Sequence, residues 1–409
     1  MRKIIVQKFG GTSVADTDKI KNVAKTVIRE KENGNDVVVV VSAMGHTTDY
    51  LVKMAKDLSP NPSGREMDML LSTGEGVSIA LLAMAIQAQG YDAVSFNAMQ
   101  IGIMTENIHS KARIIDIKTD KLKENLRQGK IIVVAGFQGV TEDGEITTLG
   151  RGGSDTSAVA LAAALNAERC DIYTDVEGVY TTDPRVVPNA SRLDEISYEE
   201  MLELAHAGAN VLHPRSVETA KQFNVPMRVR SSFKLDNLGT LVLGVDKMEI
   251  YKPVAGVAAD LSQARIVVCD VPDKPGVAAK LFSKLAKENI SVDMIIQSYA
   301  RKVSNTNDIA FTVDASDLPK TVEALEALKA EIGATGDVQV DENIAKVSIV
   351  GAGMIDRPGV ASTMFETLAE QGINIRMIST SEIKISCLVD KDQAQRAVRA
   401  LHTVFELES

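Results

Sequence analysis

The six residues Asp273-Lys274-Pro275-Gly276-Val277-Ala278 return 83 positions later as Asp356-Arg357-Pro358-Gly359-Val360-Ala361. The register then holds without a gap: Phe282 matches Phe365, Leu285 matches Leu368, Ile290 matches Ile373 and Met294 matches Met377. One shared tetrapeptide can arise by chance. A shared apolar register over so long a stretch marks an internal duplication. Each copy reads as strand, Pro-Gly turn, helix and further strands. The C-terminal part is therefore expected to be two small units, 263–340 and 341–409, after a linker over 246–262. Residues 1–245 are left for one larger domain. At roughly 150 residues per domain the length of 409 allows two or three domains, and the repeat selects three.

The larger domain alternates strands and helices. Residues 3–7 and 36–41 read as buried strands. Between them Ile20, Val23, Ala24, Val27 and Ile28 recur at helical spacing, and Asn33-Gly34 stops the helix. A long Met/Leu/Ala helix is expected over 66–89, strands over 93–96, 130–135 and 170–174, and an Ala-rich helix over 154–166. Such alternation predicts an α/β fold, a mostly parallel sheet covered by helices on both faces, with ligands at the carboxyl ends of the strands.

Composition narrows the function. Aromatics are 4% of the chain and Trp is absent, which disfavours the stacking platforms of single-strand nucleic-acid binders. A net charge of −10 excludes general nucleic-acid or membrane-surface binding, so any phosphate site must be local. Cys170, Cys269 and Cys387 are sparse, odd in number and without ligand spacing, as expected of buried thiols in a reducing cytosol. No apolar run is expected to reach the ~18 residues of a membrane span, and the chain is expected to be cytoplasmic.

No G-x-x-x-x-G-K-[ST] loop and no protein-kinase signature occurs. Instead Lys8-Phe9-Gly10-Gly11-Thr12-Ser13 follows the first strand. Two glycines let backbone amides approach a ligand at a helix start, and Lys8 adds a cation, which suits an anion. Thr147-Thr148-Leu149-Gly150-Arg151-Gly152-Gly153-Ser154-Asp155-Thr156-Ser157 opens another helix, with Ser154 or Asp155 expected as its cap. Glycines on both sides of Arg151 clear space for its planar fork, which matches a carboxylate. Asp155 is placed to orient Lys8 or a metal. Tyr173-Thr174-Asp175-Val176-Glu177-Gly178-Val179-Tyr180-Thr181-Thr182-Asp183-Pro184-Arg185 follows a strand and mixes groups suited to ribose and phosphate. Glu75 sits in an otherwise apolar stretch, where a carboxylate is costly unless paired, and could receive a substrate ammonium. His206 and His213 read as structural.

Taken together, Val6–Val14, GRGGSDTSA and TDVEGVYTTDPR resemble the signatures of the aspartokinase family, and the tandem D-[KR]-P-G-V-A repeats resemble its paired ACT domains. The resemblance spans essentially the whole chain. It implies an amino-acid-kinase fold followed by two βαβ-type ACT domains, and transfer of the ATP γ-phosphoryl group to the β-carboxylate of L-aspartate. That is the first step of lysine (through diaminopimelate), threonine and methionine biosynthesis. It implies that Lys8 stabilises the transferring group and that Asp155 organises the lysine and magnesium-bound phosphates. Phe9, Gly10 and Gly11, then Thr174, Asp175, Tyr180, Asp183 and Arg185, would hold ATP together with Lys8. Ser42, Thr48, Glu75, Arg151, Gly152, Gly153 and Ser154 would hold aspartate. Mg²⁺ is expected, its protein ligands left open.

The same resemblance implies lysine and/or threonine as effectors at the ACT units. In the first unit the matching positions are Asp273, Lys274, Pro275, Gly276, Val277, Ala278, Ser291, Val292, Asp293 and Gln297. Val360, Ala361, Asn374, Ile375, Ser381 and Glu382 complete them from the second. A homodimer or higher oligomer through these units is expected. The chain departs from the family pattern at Asn210, which stands where relatives carry a nucleotide-contacting lysine. A kinase of the same fold acting on glutamate or an N-acylated amino acid, and an amino-acid sensor with a decayed kinase, are the alternatives.

Overall fold

The computed structural model describes residues 2–209, 211–234, 236–244, 252–299, 305–355 and 357–408. Its contacts divide into two compact units. The first is Met1–Tyr180, Arg192–His206 and Asn210–Glu249; the second is Thr181–Ser191, Ala207–Ala209 and Ile250–Ser409.

The first unit is built on an eight-stranded sheet. From edge to edge it runs Glu195–Ser197, Thr240–Leu243, Met227–Ser231, Arg169–Thr174, Ile4–Phe9, Asp36–Val41, Ile131–Ala135 and Ala93–Phe96. All neighbouring pairs are parallel except Met227–Ser231 with Thr240–Leu243. The central strands are Val/Ile runs because helices cover both faces, so no polar alternation is needed. Val37, Val39, Val41, Ile131 and Val133 pack with Ile20, Val27, Leu82 and Ile86 of two covering helices. A small four-stranded sheet, Ile114–Ile117, Ile103–Thr105, Gln138–Val140 and Ile146–Thr148, lies in the same unit.

The expected strands appear within a residue or two of the expected bounds. The expected helix over 66–89 is instead two, Gly64–Leu71 and Thr73–Gln87, divided at Ser72. Ser72 Oγ and Thr73 Oγ1 each donate to a carbonyl three residues back, which competes with the regular helix ladder. The run Gly64–Gln87 is long and apolar enough to cross a membrane by length and composition, contrary to expectation. It carries buried Asp68 and Glu75, and Leu82, Ala83 and Ile86 belong to the core. Cys170 and Cys387 are buried thiols, whereas Cys269 is half-buried.

In the second unit the repeat becomes two four-stranded antiparallel sheets, each with two helices. The first holds Gln263–Pro272, Asp293–Gln297, Thr306–Asp314 and Val338–Asp341. The second holds Ile344–Val350, Met377–Thr380 and Lys384–Asp390, and its outer strand is Gly256–Asp260. That strand lies inside the expected linker, which is thereby corrected: residues 263–341 are inserted between the first strand of the second sheet and the rest. The expected linker residues 246–251 lie outside the described residues. A small shared cluster of Met294, Ile344, Met377 and Leu388 ties the two sheets together.

Two segments from within 1–245 pack in this second unit. Val187 of Thr181–Ser191 is buried among Val254, Val257, Ile349 and Met364. The Thr181 hydroxyl lies 2.8 Å from His402 Nε2 and accepts from the Ser191 amide.

Candidate active site

Four strand ends converge with two helix starts. Lys8 is the penultimate residue of Ile4–Phe9, the strand between Asp36–Val41 and Arg169–Thr174. Its ammonium lies 2.6 Å from Asp155 Oδ1, with the two side chains 12% and 14% exposed. The contact is an ion pair by distance, although its angles miss those of a hydrogen bond. Asp155 stands in the first turn of the helix Gly153–Ala164, where the helix dipole favours a negative charge. The pair sets Asp155 against Lys8, the residue it is expected to orient. The expected cap is corrected: Gly152 caps this helix in left-handed backbone, and Ser154 and Asp155 lie inside it.

A Cβ on Gly11 would stand 2.9 Å from the Ala43 carbonyl oxygen and 3.0 Å from that of Gly45, so only glycine fits. The Gly45 amide donates to the Gly11 carbonyl at 3.0 Å. The Ala43 amide in turn donates to Glu75 Oε1 at 3.2 Å, and Gln138 Nε2 to Glu75 Oε2 at 3.4 Å. Glu75 is 2% exposed. Burial pushes its carboxyl up to about 7, against the pull of these donors. On the other flank, Gly136 at the end of Ile131–Ala135 makes room for Ser154, whose Cβ would lie 2.8 Å from a Cβ there. Contacts thus link Glu75 to Ala43, Ala43 to Gly11, Lys8 to Asp155 and Ser154 to Gly136, joining the carboxyl ends of the central strands to the first turns of two helices. The arrangement brings a cation, a Gly-Gly turn and a buried carboxylate together, which suits an anion and an ammonium.

Other expected residues fall as follows. Ser42 directly follows the strand Asp36–Val41, and Thr48 is the second residue of the helix Thr47–Leu58. Arg151 is exposed, with no ion pair or hydrogen bond among the described residues. Thr174 ends its strand and its hydroxyl donates to Asp175 Oδ1 at 3.0 Å. Tyr180 bridges to Arg192. Asp183 and Arg185 lie in the segment assigned to the second unit, 2.8 Å apart, and the Arg185 hydrogen bonds hold the Asp183 carboxyl below its usual range. The Phe9 ring is 1% exposed and stacks on Tyr173, centroids 4.5 Å apart, so its side chain belongs to the core. Asn210 lies outside the described residues.

Two partners, Gln138 and Asp68, escaped the sequence, whereas His213 has the structural role expected of it. Gln138 anchors Glu75 from the small sheet. His213 caps the helix Pro214–Phe223 and fills the space beside Gly152, where an added Cβ would come within 2.2 Å of its ring. Burial, then the Arg215 charge, lowers its pKa. Asp68 holds the strand that leads into the Arg151 loop. Each contact joins residues far apart in sequence, and no local pattern announces it. Gly152 takes φ +68° as well as lacking space, so Gly152→Ala combines backbone strain with a clash. It should lower unfolding free energy by about 2–4 kcal/mol in denaturant titration and displace the Arg151 loop.

Of the expected effector residues, Asp273, Lys274, Pro275 and Gly276 form an exposed turn before the helix Val277–Lys287, which begins with half-buried Val277 and exposed Ala278. Gly276 and Gly359 start their helices in matching left-handed backbone, φ +92° and +104°. Asp356 lies outside the described residues. Asp293 accepts from Lys346 of the second sheet at 2.8 Å. Burial works to raise the Asp293 carboxyl, but Lys346 outweighs it and holds the group low. Ser291, Gln297, Asn374, Ser381 and Glu382 are exposed, Val292, Ala361 and Ile375 half-buried, and Val360 buried.

Comparison with known proteins gives one consistent result. The amino acid kinase family matches residues 3–231, and the ACT domain family matches 265–330 and 347–405. The aspartokinase of Geobacillus stearothermophilus is 55% identical over 404 residues, covering 99% of this chain and 97% of that one. E. coli aspartokinase III in complex with aspartate and ADP superposes with a TM-score of 0.83 at 30% identity, covering 98% of this chain and 99% of that one. The same enzyme in complex with lysine and aspartate gives 0.76 at 30% identity, with the same coverage.

Proposed function

The chain belongs to the aspartokinase family, an amino acid kinase domain carrying ACT domains, and from that premise we propose that it phosphorylates L-aspartate. The γ-phosphoryl group of ATP passes to the β-carboxylate, giving 4-phospho-L-aspartate and ADP. The observation that carries this reading is the Lys8–Asp155 pair beside Gly10-Gly11 at the head of the central strands.

A β-carboxylate has a reference pKa of about 3.9, so the nucleophile is ionised at neutral pH and needs no general base. What remains is alignment and charge neutralisation. Lys8 would meet the charge on the transferring group while Asp155 holds it in place. Glu75 would take the α-ammonium and Arg151 the α-carboxylate, leaving the β-carboxylate pointed at ATP. Ser42, Thr48, Gly152, Gly153 and Ser154 would complete the aspartate site. Gly10, Gly11, Thr174, Asp175, Tyr180, Asp183 and Arg185 would hold the nucleotide. Among the described residues no group of three or more His, Cys, Asp or Glu could hold a metal. That fits Mg²⁺ carried by the phosphates and water, where it would neutralise phosphate charge.

The reaction opens the lysine, threonine and methionine route. Lysine, threonine or both would act at the ACT units, a reading supported by the lysine-bound relative and by paired Gly-started helices. The edge strands Asp293–Gln297 and Met377–Thr380 leave Ile295, Ile296 and Ile378 exposed, which favours an oligomer through these sheets. One assay tests the whole reading: ADP release with ATP, Mg²⁺ and either aspartate or glutamate, then with lysine and threonine added. Aspartate should support turnover at least tenfold better than glutamate, and the added amino acids should slow it. Equal use of glutamate overturns the substrate, and an absence of inhibition overturns the effectors.

A further inference from the structure

The loop that carries Arg151 has one turn of its own, in which the Gly153 amide donates to the Gly150 carbonyl at 2.9 Å. Gly150 and Gly152 flank Arg151 in left-handed backbone, φ +75° and +68°. Glycine leaves such a conformation more freely than any other residue. Arg151 adds no ion pair or hydrogen bond among the described residues. Beyond that turn and the helix it starts, two charged side chains fasten the approaches to the loop.

Asp68, on the helix Gly64–Leu71, is fully buried. Its carboxylate accepts from the Thr148 hydroxyl at 2.6 Å and from the Ser110 amide at 2.9 and 3.1 Å, and it lies 2.9 Å from His109 Nδ1. Ser110 has φ +68°, a conformation that a non-glycine residue keeps only when its surroundings impose it. The Ser110 carbonyl oxygen stands 2.9 Å from where a Cβ on Gly150 would be. Glycine is therefore required at 150 by the placement of Ser110, and Ser110 is held by Asp68.

From the other flank Arg215 donates to the Leu149 carbonyl at 2.5 Å and to the Ala112 carbonyl at 3.1 Å. Arg215 is spent on the carbonyls of Ala112 and Leu149, and Asp68 on the Ser110 amide and the Thr148 hydroxyl. No ion pair joins Asp68 and Arg215, and among the described residues no lysine or arginine pairs with Asp68, whose nearest basic group is the His109 ring. A buried carboxylate without lysine or arginine is costly unless fully hydrogen-bonded, and such groups concentrate at functional sites.

We propose that Asp68 and Arg215 are positioning residues for the amino-acid substrate: through Ser110 and Leu149 they hold Gly150–Gly152 so that Arg151 meets the α-carboxylate. The inference rests on the reading of Arg151 as that anchor. Asp68→Asn keeps the shape of the side chain and removes its charge. It should raise the aspartate KM about tenfold or more while the ATP KM stays within about twofold. Ser110→Gly added to it relieves the backbone strain and should bring the aspartate KM back to within about threefold of the parent. Thr148→Val, which loses one of the four contacts, should shift the aspartate KM in the same direction by less, and serves if Asp68→Asn fails to fold. An unchanged aspartate KM in a folded variant, an equal rise in both KM values, or no rescue by Ser110→Gly overturns the proposal. Arg151→Ala separates the two levels. If it leaves the aspartate KM unchanged, the reading of Arg151 falls. If it raises the KM strongly while Asp68→Asn and Thr148→Val are silent, only the positioning role falls.

Discussion

Replacing Lys8 by alanine is expected to lower kcat about 10³-fold with the fold retained. The ammonium stands at the end of the strand between Asp36–Val41 and Arg169–Thr174, close to Asp155 and only 12% exposed. A charge so placed is worth more against a developing phosphoryl charge than the same charge in water, because the protein has already oriented it. The ground state gains less, so the loss should fall on kcat more than on either KM. The variant should still fold. Asp155, mostly buried, loses its cation and keeps only the N-terminal turn of the helix Gly153–Ala164, so the expected loss is about 2–4 kcal/mol in denaturant titration. Steady-state kinetics with both substrates, beside unfolding curves, checks both halves. A kcat near that of the parent removes Lys8 from the mechanism.

The sheet was legible because its strands are written as continuous apolar runs. Asp36–Val41 contains five consecutive valines, and burial on both faces is the only way to use them. The glycine motifs were legible for a related reason: close approach of backbone to backbone, as between Gly11 and Ala43, excludes every other residue. The facing of Phe9 follows from strand geometry. Successive side chains in a strand point to opposite faces, so when Lys8 faces the site its neighbour Phe9 must face the core, where it stacks on Tyr173. The remaining surprises are tertiary. Asp68 and Thr148 are 80 residues apart, and nothing local in either segment names the other. Gly256–Asp260 looks like a linker strand alone and finds its place only by pairing with Ile344–Val350, across the whole of the first repeat. The repeat itself foretold two units and could not foretell which strand closes each sheet.

Glu75→Gln should separate stability from substrate use. In the folded chain burial raises the Glu75 carboxyl from 4.5 to about 7. Between those values the native state holds a proton that the unfolded chain has released. Stability contributed by the protonated group is therefore present below about 4.5 and is lost as pH rises towards 7, by about 3 kcal/mol in all. A glutamine cannot lose a proton, keeps an oxygen for the Ala43 amide, and leaves Gln138 Nε2 with the Ser72 carbonyl as acceptor. The variant should thus unfold about 2–3 kcal/mol later than the parent at pH 8, and the difference should vanish near pH 4.5. Kinetics should move the other way. The aspartate KM should rise about 10–100-fold, since a charge-assisted partner for the ammonium is gone, while the ATP KM holds. In the parent, kcat/KM for aspartate should climb with pH through about 7 as Glu75 ionises, and the variant should lack that limb. A parent with a flat profile across pH 6–8, or a variant that is less stable at pH 8 than the parent, would place the burial cost somewhere other than this carboxylate. A buried acid that weakens the fold where the enzyme works is explained only by what it binds.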